Sequence, residues 1–552
     1  MSNAAVSTAD LIRDAHAFAD TNPDELLVAY HSLGALLDQR ANKTPNAIFL
    51  KYFDDDANET ATYSYQQFAQ LVDRAAGFLT SHGLKPGDCF ATLSYNHPIG
   101  AVLLFAAWKL GLVVAPQNVT EDDARISFIL RDAEARLFIA HPAMMERAAK
   151  LVDDAADVQN LLSFDDVLAS AAVARAVAED YRQQPALIVY TSGTTGHPKG
   201  VVLTQYNLMI NAQGIVEWHD LDVETRMMCV LPIHHVNGIV VTLVTTLVAG
   251  GLLVLNRGFR VSTFWKHLID EGVAIVSVVP TILQFLCEAN EGLSARDLSR
   301  FRYFLCGAGT LAISLVEKFE AQFGVPVLHG YGLSETTAFT CTMPPELSRA
   351  SRHHWYSHHG YPSIGNVFPH CDMAIHDAEG HDLPRGERGE IVIRGHYIMD
   401  GYFHRPDANA ESFRFAWFRS GDEGFFDNDE QGRRFFFITG RLKELINRGG
   451  VKYSPFEIEE VLLSIPGVKV GLAIAFDNDW YGEEVGAYVV RVQDSAVTAA
   501  EILAACRARM PFAKCPKVVV FGSEPPVTVT GKYQRLKLKE LFATHLKTQF
   551  RA

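Results

Sequence analysis

The apolar run Pro185-Ala186-Leu187-Ile188-Val189 leads directly into Tyr190-Thr191-Ser192-Gly193-Thr194-Thr195-Gly196-His197-Pro198-Lys199-Gly200. The first segment reads as a buried strand. The second reads as a tight loop, because glycine lets the backbone turn sharply and bring its N–H groups up to an anion. Thr191, Ser192, Thr194 and Thr195 add hydroxyl donors, and Lys199 adds a positive charge. A buried strand that empties into such a loop calls for a sheet with a phosphate-sized anion at its edge. The spacing is not that of a P-loop, since no Gly-Lys-Ser/Thr closes it.

A chain of 552 residues is too long for a single core, so two or more domains are expected. With 48% apolar and 20% charged residues, it has the composition of a globular protein. The formal net charge of −15 argues against a nucleic-acid partner. None of the eight cysteines stands in a Cys-x-x-Cys pair, which disfavours a zinc site or a disulfide framework and predicts a reducing, cytoplasmic setting. No apolar run reaches the roughly 18 residues of a membrane span. The longest, Gly238 to Leu255, is broken by threonines and by Gly250-Gly251. The N-terminus lacks the basic-then-apolar pattern of a leader.

Strand and helix signals alternate along most of the chain. Ser64 and Gln67 are spaced as a capping box ahead of a helix whose apolar residues run from Tyr65 to Leu79. A strand is expected at Cys89–Leu93 and a helix at Ile99–Leu110, with Gly111 placed to end it. Strand-like runs recur at 227–231, 252–255, 274–279 and 303–305. This alternation predicts an α/β fold with largely parallel sheets. Shorter segments at 372–393, punctuated by glycine and proline, predict an antiparallel, barrel-like portion. The final stretch reads as a separate small α+β unit. It opens with a capping box at Ser454-Pro455-Phe456-Glu457 and continues with strands at 468–476, 486–492 and 518–521 around a helix at 499–510. The division predicted is a large domain over 1–440 and a small one over 441–552.

Further segments carry chemistry. Tyr331-Gly332-Leu333-Ser334-Glu335 follows an apolar run, and Glu335 supplies the hard oxygen a Mg²⁺ ion needs. Ser420-Gly421-Asp422 taken alone reads as a turn aspartate before the next strand, but its carboxylate is also able to accept from both ribose hydroxyls, as acidic residues do in dinucleotide folds. Gly440-Arg441-Leu442-Lys443-Glu444, then Gly449-Gly450, then Thr530-Gly531-Lys532 complete the set. In this order and spacing the motifs resemble those of the adenylate-forming superfamily, which includes acyl-CoA synthetases, over roughly residues 30 to 545. Serine replaces the usual threonine at 334 and 420, Glu444 stands for an aspartate, and Tyr453 for an aliphatic residue.

The resemblance implies a two-step reaction. A carboxylate attacks the α-phosphate of ATP to give acyl-AMP and pyrophosphate, and the thiol of coenzyme A then displaces AMP. It implies Lys532 and Glu335 as catalytic residues, with Glu335 also the Mg²⁺ ligand. ATP would be held by Thr191, Ser192, Gly193, Thr194, Thr195, Lys199, Tyr331, Gly332, Ser334, Asp422 and Arg441. Gly307, Ala308 and Gly309 would flank the adenine or shape the acyl pocket, which His235, Asn237 and Gly238 would line. Gly449 and Gly450 would admit the pantetheine thiol, and Lys443 would be the hinge of a rotating C-terminal lid. The alternatives are an acyl-AMP ligase loading the thiol of a separate carrier protein, a luciferase-like oxidation, and a non-catalytic nucleotide sensor. The residues leave the acyl group and the oligomeric state open.

Overall fold

A computed structural model describes residues 7–18, 22, 24–152, 158–171, 179–191, 198–289, 298–309, 311–527 and 533–551. Among the described residues the strands form three sheets. A six-stranded sheet runs in the order Asn160–Ser163, Leu137–Ala140, Cys89–Leu93, Val113–Gln117, Pro185–Thr191 and Lys199–Thr204. Its strands are parallel except for the last pair, a hairpin in which Thr191 faces Lys199.

The second, thirteen-stranded path has a parallel centre. Val327–Gly332, Tyr303–Cys306, Ile275–Val278, Arg226–Cys229, Leu252–Asn256 and Ile48–Asp54 follow one another there. Its far flank is antiparallel. It passes through Phe339–Thr342 and Ser363–Val367 into a meander of Arg434–Arg441, Phe418–Asn428, Gly389–Gly395 and Cys371–His376. This meander is the portion predicted from the short, glycine-punctuated segments.

The elements form where local chemistry asks for them. Ser64 and Gln67 exchange both bonds of a capping box, at 3.2 and 2.9 Å, and start the helix Tyr65–Ser81. Helix Pro98–Lys109 is buried on every face between the first two sheets. Its one charged residue, Lys109, is neutralised by Asp38 at 2.8 Å and Asp73 at 2.5 Å. Gly111 ends that stretch at φ 66°.

The third sheet is five-stranded and comprises Val451–Tyr453, Ile446–Arg448, Gly482–Arg491, Val468–Asn478 and Val518–Phe521. The apolar cores change over in the same place. The buried members of the largest cluster end at Phe437, with the half-buried Phe456 also packed against it, and those of the C-terminal cluster begin at Ile446. One local expectation is corrected here. Ser454 caps the helix Pro455–Leu463 by accepting from the Glu457 N–H, but Glu457 does not return the bond. Its carboxylate instead accepts from the Tyr361 hydroxyl at 2.7 Å and pairs with Lys514. Two partners, one of them a cation, hold the carboxylate more strongly than a single backbone amide would.

Candidate active site

Parallel strands deliver their following loops to one edge of a sheet, where α/β proteins bind ligands. The loop at 307–309 leaves the strand ending at Cys306, and Tyr331 and Gly332 close the strand Val327–Gly332. The loop at 230–238 leaves the strand ending at Cys229. The backbone is tight here. A Cβ on Gly332 would sit 1.6 Å from the Ala338 carbonyl oxygen, so no side chain fits. Ala308 is left-handed at φ 63°, a conformation disfavoured for alanine and concentrated at functional sites.

Asp422 is the centre of a charged network. It is 3% exposed, and its carboxylate accepts from the Tyr331 hydroxyl at 2.7 Å and is ion-paired with Arg441, whose Nε lies 2.9 Å away. Ser420 aims it by accepting from the Asp422 N–H at 3.0 Å and donating to the Ile391 carbonyl at 2.6 Å. The serine in place of threonine keeps the hydroxyl that does this. The Asp422 charge holds the Arg441 guanidinium firmly protonated. Burial, then the same charge, pushes the Tyr331 phenol far above its ordinary range, so it stays a donor.

Glu335 lies in a single 3₁₀ turn, Ser334–Thr336, closed by Thr337 at φ 67°. Thr336 Oγ1 accepts from the Leu333 N–H at 2.9 Å, and Thr337 Oγ1 donates to the Tyr397 carbonyl at 2.7 Å. The Glu335 carboxylate accepts from the Tyr402 hydroxyl at 2.9 Å. Tyr402 also lies under the Lys199 ammonium, 4.9 Å from its ring centroid. The segment bearing Tyr402 is laced to the hairpin of the glycine-serine loop, with Phe403 N–H on the Gly200 carbonyl at 2.8 Å and Val202 N–H on the Gly401 carbonyl at 3.0 Å. One tyrosine therefore joins Lys199 to Glu335. Nothing in the sequence pattern singled it out, because its strand pairing is an isolated bridge to Val201. The field of Glu335 also reaches Arg441, so the two acidic centres share one electrostatic site.

His235, Asn237 and Gly238 occupy the loop and first turn of a π-helix, Asn237–Val244. Such turns are uncommon and recur at functional sites. A Cβ on Gly238 would lie 2.2 Å from the Pro232 carbonyl oxygen, so glycine alone permits this fold-back. The His234 and His235 rings are 4.4 Å apart. Burial, then its neighbour, keeps His234 neutral by pushing its pKa well down. His234 and Ile233 line a narrow cavity with Thr92, Ser94 and Gln117.

Beyond Arg441, Leu442 N–H bonds the Gly421 carbonyl at 2.9 Å. Glu444 meets Arg535 at 3.0 Å, and Arg535 also grips both oxygens of Glu459 at 2.8 Å. Gly449 and Gly450 form the turn between Ile446–Arg448 and Val451–Tyr453, at φ 61° and 87°. Ser192, Gly193, Thr194, Thr195 and Lys532 lie outside the described residues; Thr191 borders the first gap, Lys199 stands one residue beyond its other end, and Tyr533 borders the second. His353 faces Glu320 at 3.3 Å and His359 faces Asp427 at 2.9 Å.

The fold is that of a nucleotide-using ligase, as comparison with known proteins shows. The model of the AMP-binding enzyme family matches residues 37–403, and that of the AMP-binding enzyme C-terminal domain matches residues 457–532. The chain belongs to the AMP-binding enzyme family. A probable CoA ligase of Humulus lupulus, CCL9, is 33% identical over 500 residues, covering 88% of this chain and 92% of its own. The sulfoacetate–CoA ligase of Cupriavidus necator is 33% identical over 534 residues, covering 94% and 99%. The ATP-bound structure of MatB from Rhodopseudomonas palustris superposes with a TM-score of 0.83 at 25% identity, over 94% of this chain and all of that one. The activity is that of an acid–thiol ligase, the ATP-dependent formation of an acyl-CoA.

Proposed function

We propose that this ligase binds ATP at the carboxyl edge of the parallel strands, with Asp422 and Glu335 as its two anchors. The observation that carries this is the convergence of the Tyr331–Asp422–Arg441 network and the Lys199–Tyr402–Glu335 chain on one edge. Asp422, already held by the Tyr331 hydroxyl and the Arg441 charge, presents its remaining lone pairs to the ribose hydroxyls, and Arg441 faces the nucleotide oxygens. Tyr331, Gly332, Ser334 and residues Gly307 to Gly309 enclose the nucleotide. Thr191, Ser192, Gly193, Thr194, Thr195 and Lys199 receive the phosphates.

The chemistry of the donor set suits Mg²⁺ at Glu335, a hard oxygen beside phosphate. Among the described residues no group of three or more His, Cys, Asp or Glu could hold a metal, so the ion would complete its shell with phosphate oxygens and water. Bound there, it would offset charge as two anions react. Lys532 adds the second positive charge in that step. His235, Asn237 and Gly238 receive the acyl group, and Gly449-Gly450 admits the pantetheine arm.

Residues 1–440 and 441–552 act as separate domains with a hinge at Lys443, a reading supported by the core change between Phe437 and Ile446. A cytoplasmic setting fits eight buried, unpaired cysteines. No described helix is long and apolar enough to cross a membrane.

ATP–pyrophosphate exchange across a panel of carboxylic acids, followed by AMP release with and without coenzyme A, tests the scheme. Exchange with a subset of acids and AMP release that requires coenzyme A are expected. AMP release indifferent to coenzyme A but dependent on a carrier protein would replace the thiol assignment. Lys532→Ala is expected to bind ATP yet lose exchange by about 10²–10³-fold; normal exchange would remove Lys532 from the adenylation step.

A further inference from the structure

We propose that Asn96 is the positioning residue for acid recognition, acting as a one-residue strand that holds the loop bearing His234 and His235 in shape. The inference rests on the reading that His235 to Gly238 line the acyl pocket.

Asn96 follows the strand Cys89–Leu93 of the six-stranded sheet and is 3% exposed. Its side-chain amide uses both its donor and acceptor sides. Nδ2 donates to the Leu231 carbonyl at 3.0 Å and to the Asn256 carbonyl at 3.0 Å. Oδ1 accepts from the Ile233 N–H at 2.8 Å. Leu231 and Asn256 lie just past or at the ends of neighbouring parallel strands of the thirteen-stranded sheet. One amide thus ties the outlets of three strands from two sheets.

The residue between its two loop partners is Pro232, which has no N–H to give a neighbouring strand. A β-partner contacts a strand through the carbonyl of one residue and the N–H of the residue two further on. Asn96 makes that pair of bonds, to Leu231 and Ile233, with a side chain. It stands in for a strand in the gap between the sheets, where buried peptide groups would otherwise lack partners.

The consequence passes through Pro232. Its carbonyl accepts from the His235 N–H at 3.2 Å, and the same oxygen is the atom that Gly238 folds against. The His235 carbonyl in turn accepts from the Ile239 N–H at 3.0 Å, in the π-helix. A shift of the 231–233 segment therefore moves His235 and Gly238 together. Misplacements of about 1 Å remote from the chemistry can cost on the order of a hundredfold in rate. Among the described residues Asp422 and Glu335 are bonded to other segments and not to residues 231–233, so the effect should fall on the acid.

The test uses full-length Asn96→Asp and Asn96→Ala, with the best acid from the exchange panel. Asn96→Asp keeps the acceptor for Ile233 but sets oxygen against two carbonyls. It should raise the KM for the acid about tenfold or more, reorder the acids in the panel, and leave the KM for ATP within about twofold. Asn96→Ala should do the same more weakly, and it carries the test alone if the aspartate variant does not accumulate folded. A purely structural role would lower the melting temperature and kcat without splitting the two KM values, and that result overturns the proposal. His235→Ala is measured alongside. If it raises the acid KM and neither Asn96 variant does, the role of Asn96 fails alone; if none of the three does, the pocket assignment fails with it.

Discussion

The proposed nucleotide edge and the proposed acyl loop both follow strands of the thirteen-stranded sheet but are built in opposite ways. Around Asp422 and Glu335 the positions are fixed by charge, with a carboxylate, a guanidinium, phenols and an ammonium all within bonding or ring-contact distance. Around His235 they are fixed by backbone shape, through a proline without an N–H, a glycine with no room for a Cβ, and a single amide. ATP never changes, so rigid charges serve it well. The acid differs among relatives, and a loop held by backbone bonds can alter its side chains without undoing its frame.

The sharpest way to break this contrast is Asp422→Ala, which leaves Arg441 and Tyr331 facing each other without their partner. The kcat/KM for ATP should fall about a hundredfold, since charge-assisted bonds are worth about 1.5–3 kcal/mol each. Stability should drop by about 2–3 kcal/mol in denaturant unfolding, less than for a fully enclosed pair because the Arg441 side chain is 38% exposed. An acid KM that moved as far as the ATP KM would erase the distinction between the two regions.

Lys443→Pro acts on the proposed hinge. By fixing φ it should slow thioester formation on the order of tenfold while sparing acyl-AMP formation, measured as separate half-reactions. Equal loss of both would place the hinge elsewhere. Tyr402→Phe removes one neutral-to-charged bond to Glu335 and keeps the ring under Lys199. A several-fold rise in the Mg²⁺ needed for half-maximal exchange is expected, with the acid KM unchanged.

The smallest effect concerns the seam with the C-terminal sheet. Glu460 accepts from the Ile313 N–H at 3.2 Å, at a helix start whose N-cap, Ala312, has no side chain to offer. Burial raises its carboxyl to about 7, with Glu459 and Glu317 adding to the rise. The folded state therefore binds this proton more tightly than the unfolded chain. Its stabilising effect is complete below the ordinary carboxylate range and fades as pH rises to about 7. Wild type should lose melting temperature relative to Glu460→Gln between about pH 4.5 and pH 7, and the two curves should run parallel above that. Parallel curves throughout would show that the group is solvated.

Features written in local residue order were legible in the sequence. The strands at 89–93, 303–306 and 518–521, the Ser64 capping box and the antiparallel stretch after 371 all follow from period, glycine placement and capping chemistry. Features set by distant partners were not. Tyr402 matters because it meets Glu335 and Lys199, 67 and 203 positions away, and Asn96 because it meets residues more than a hundred positions on. Glu457 had the spacing of a capping residue, but Tyr361 and Lys514 outcompeted its own helix. The run after Gly238 read only as a broken apolar stretch, since a π-helix and an α-helix bury the same kinds of residue.

The handover of fully buried apolar residues between Phe437 and Ile446 also bears on synthesis. Nearly all of the larger interior is translated before the first strand of the small sheet, with Phe456 of the following helix a later contributor. That sheet must then wait for Val518–Phe521, among its last strands to emerge, to pair alongside Gly482–Arg491. A nascent chain halted between those points would carry a finished nucleotide edge and a lid still without its final strand.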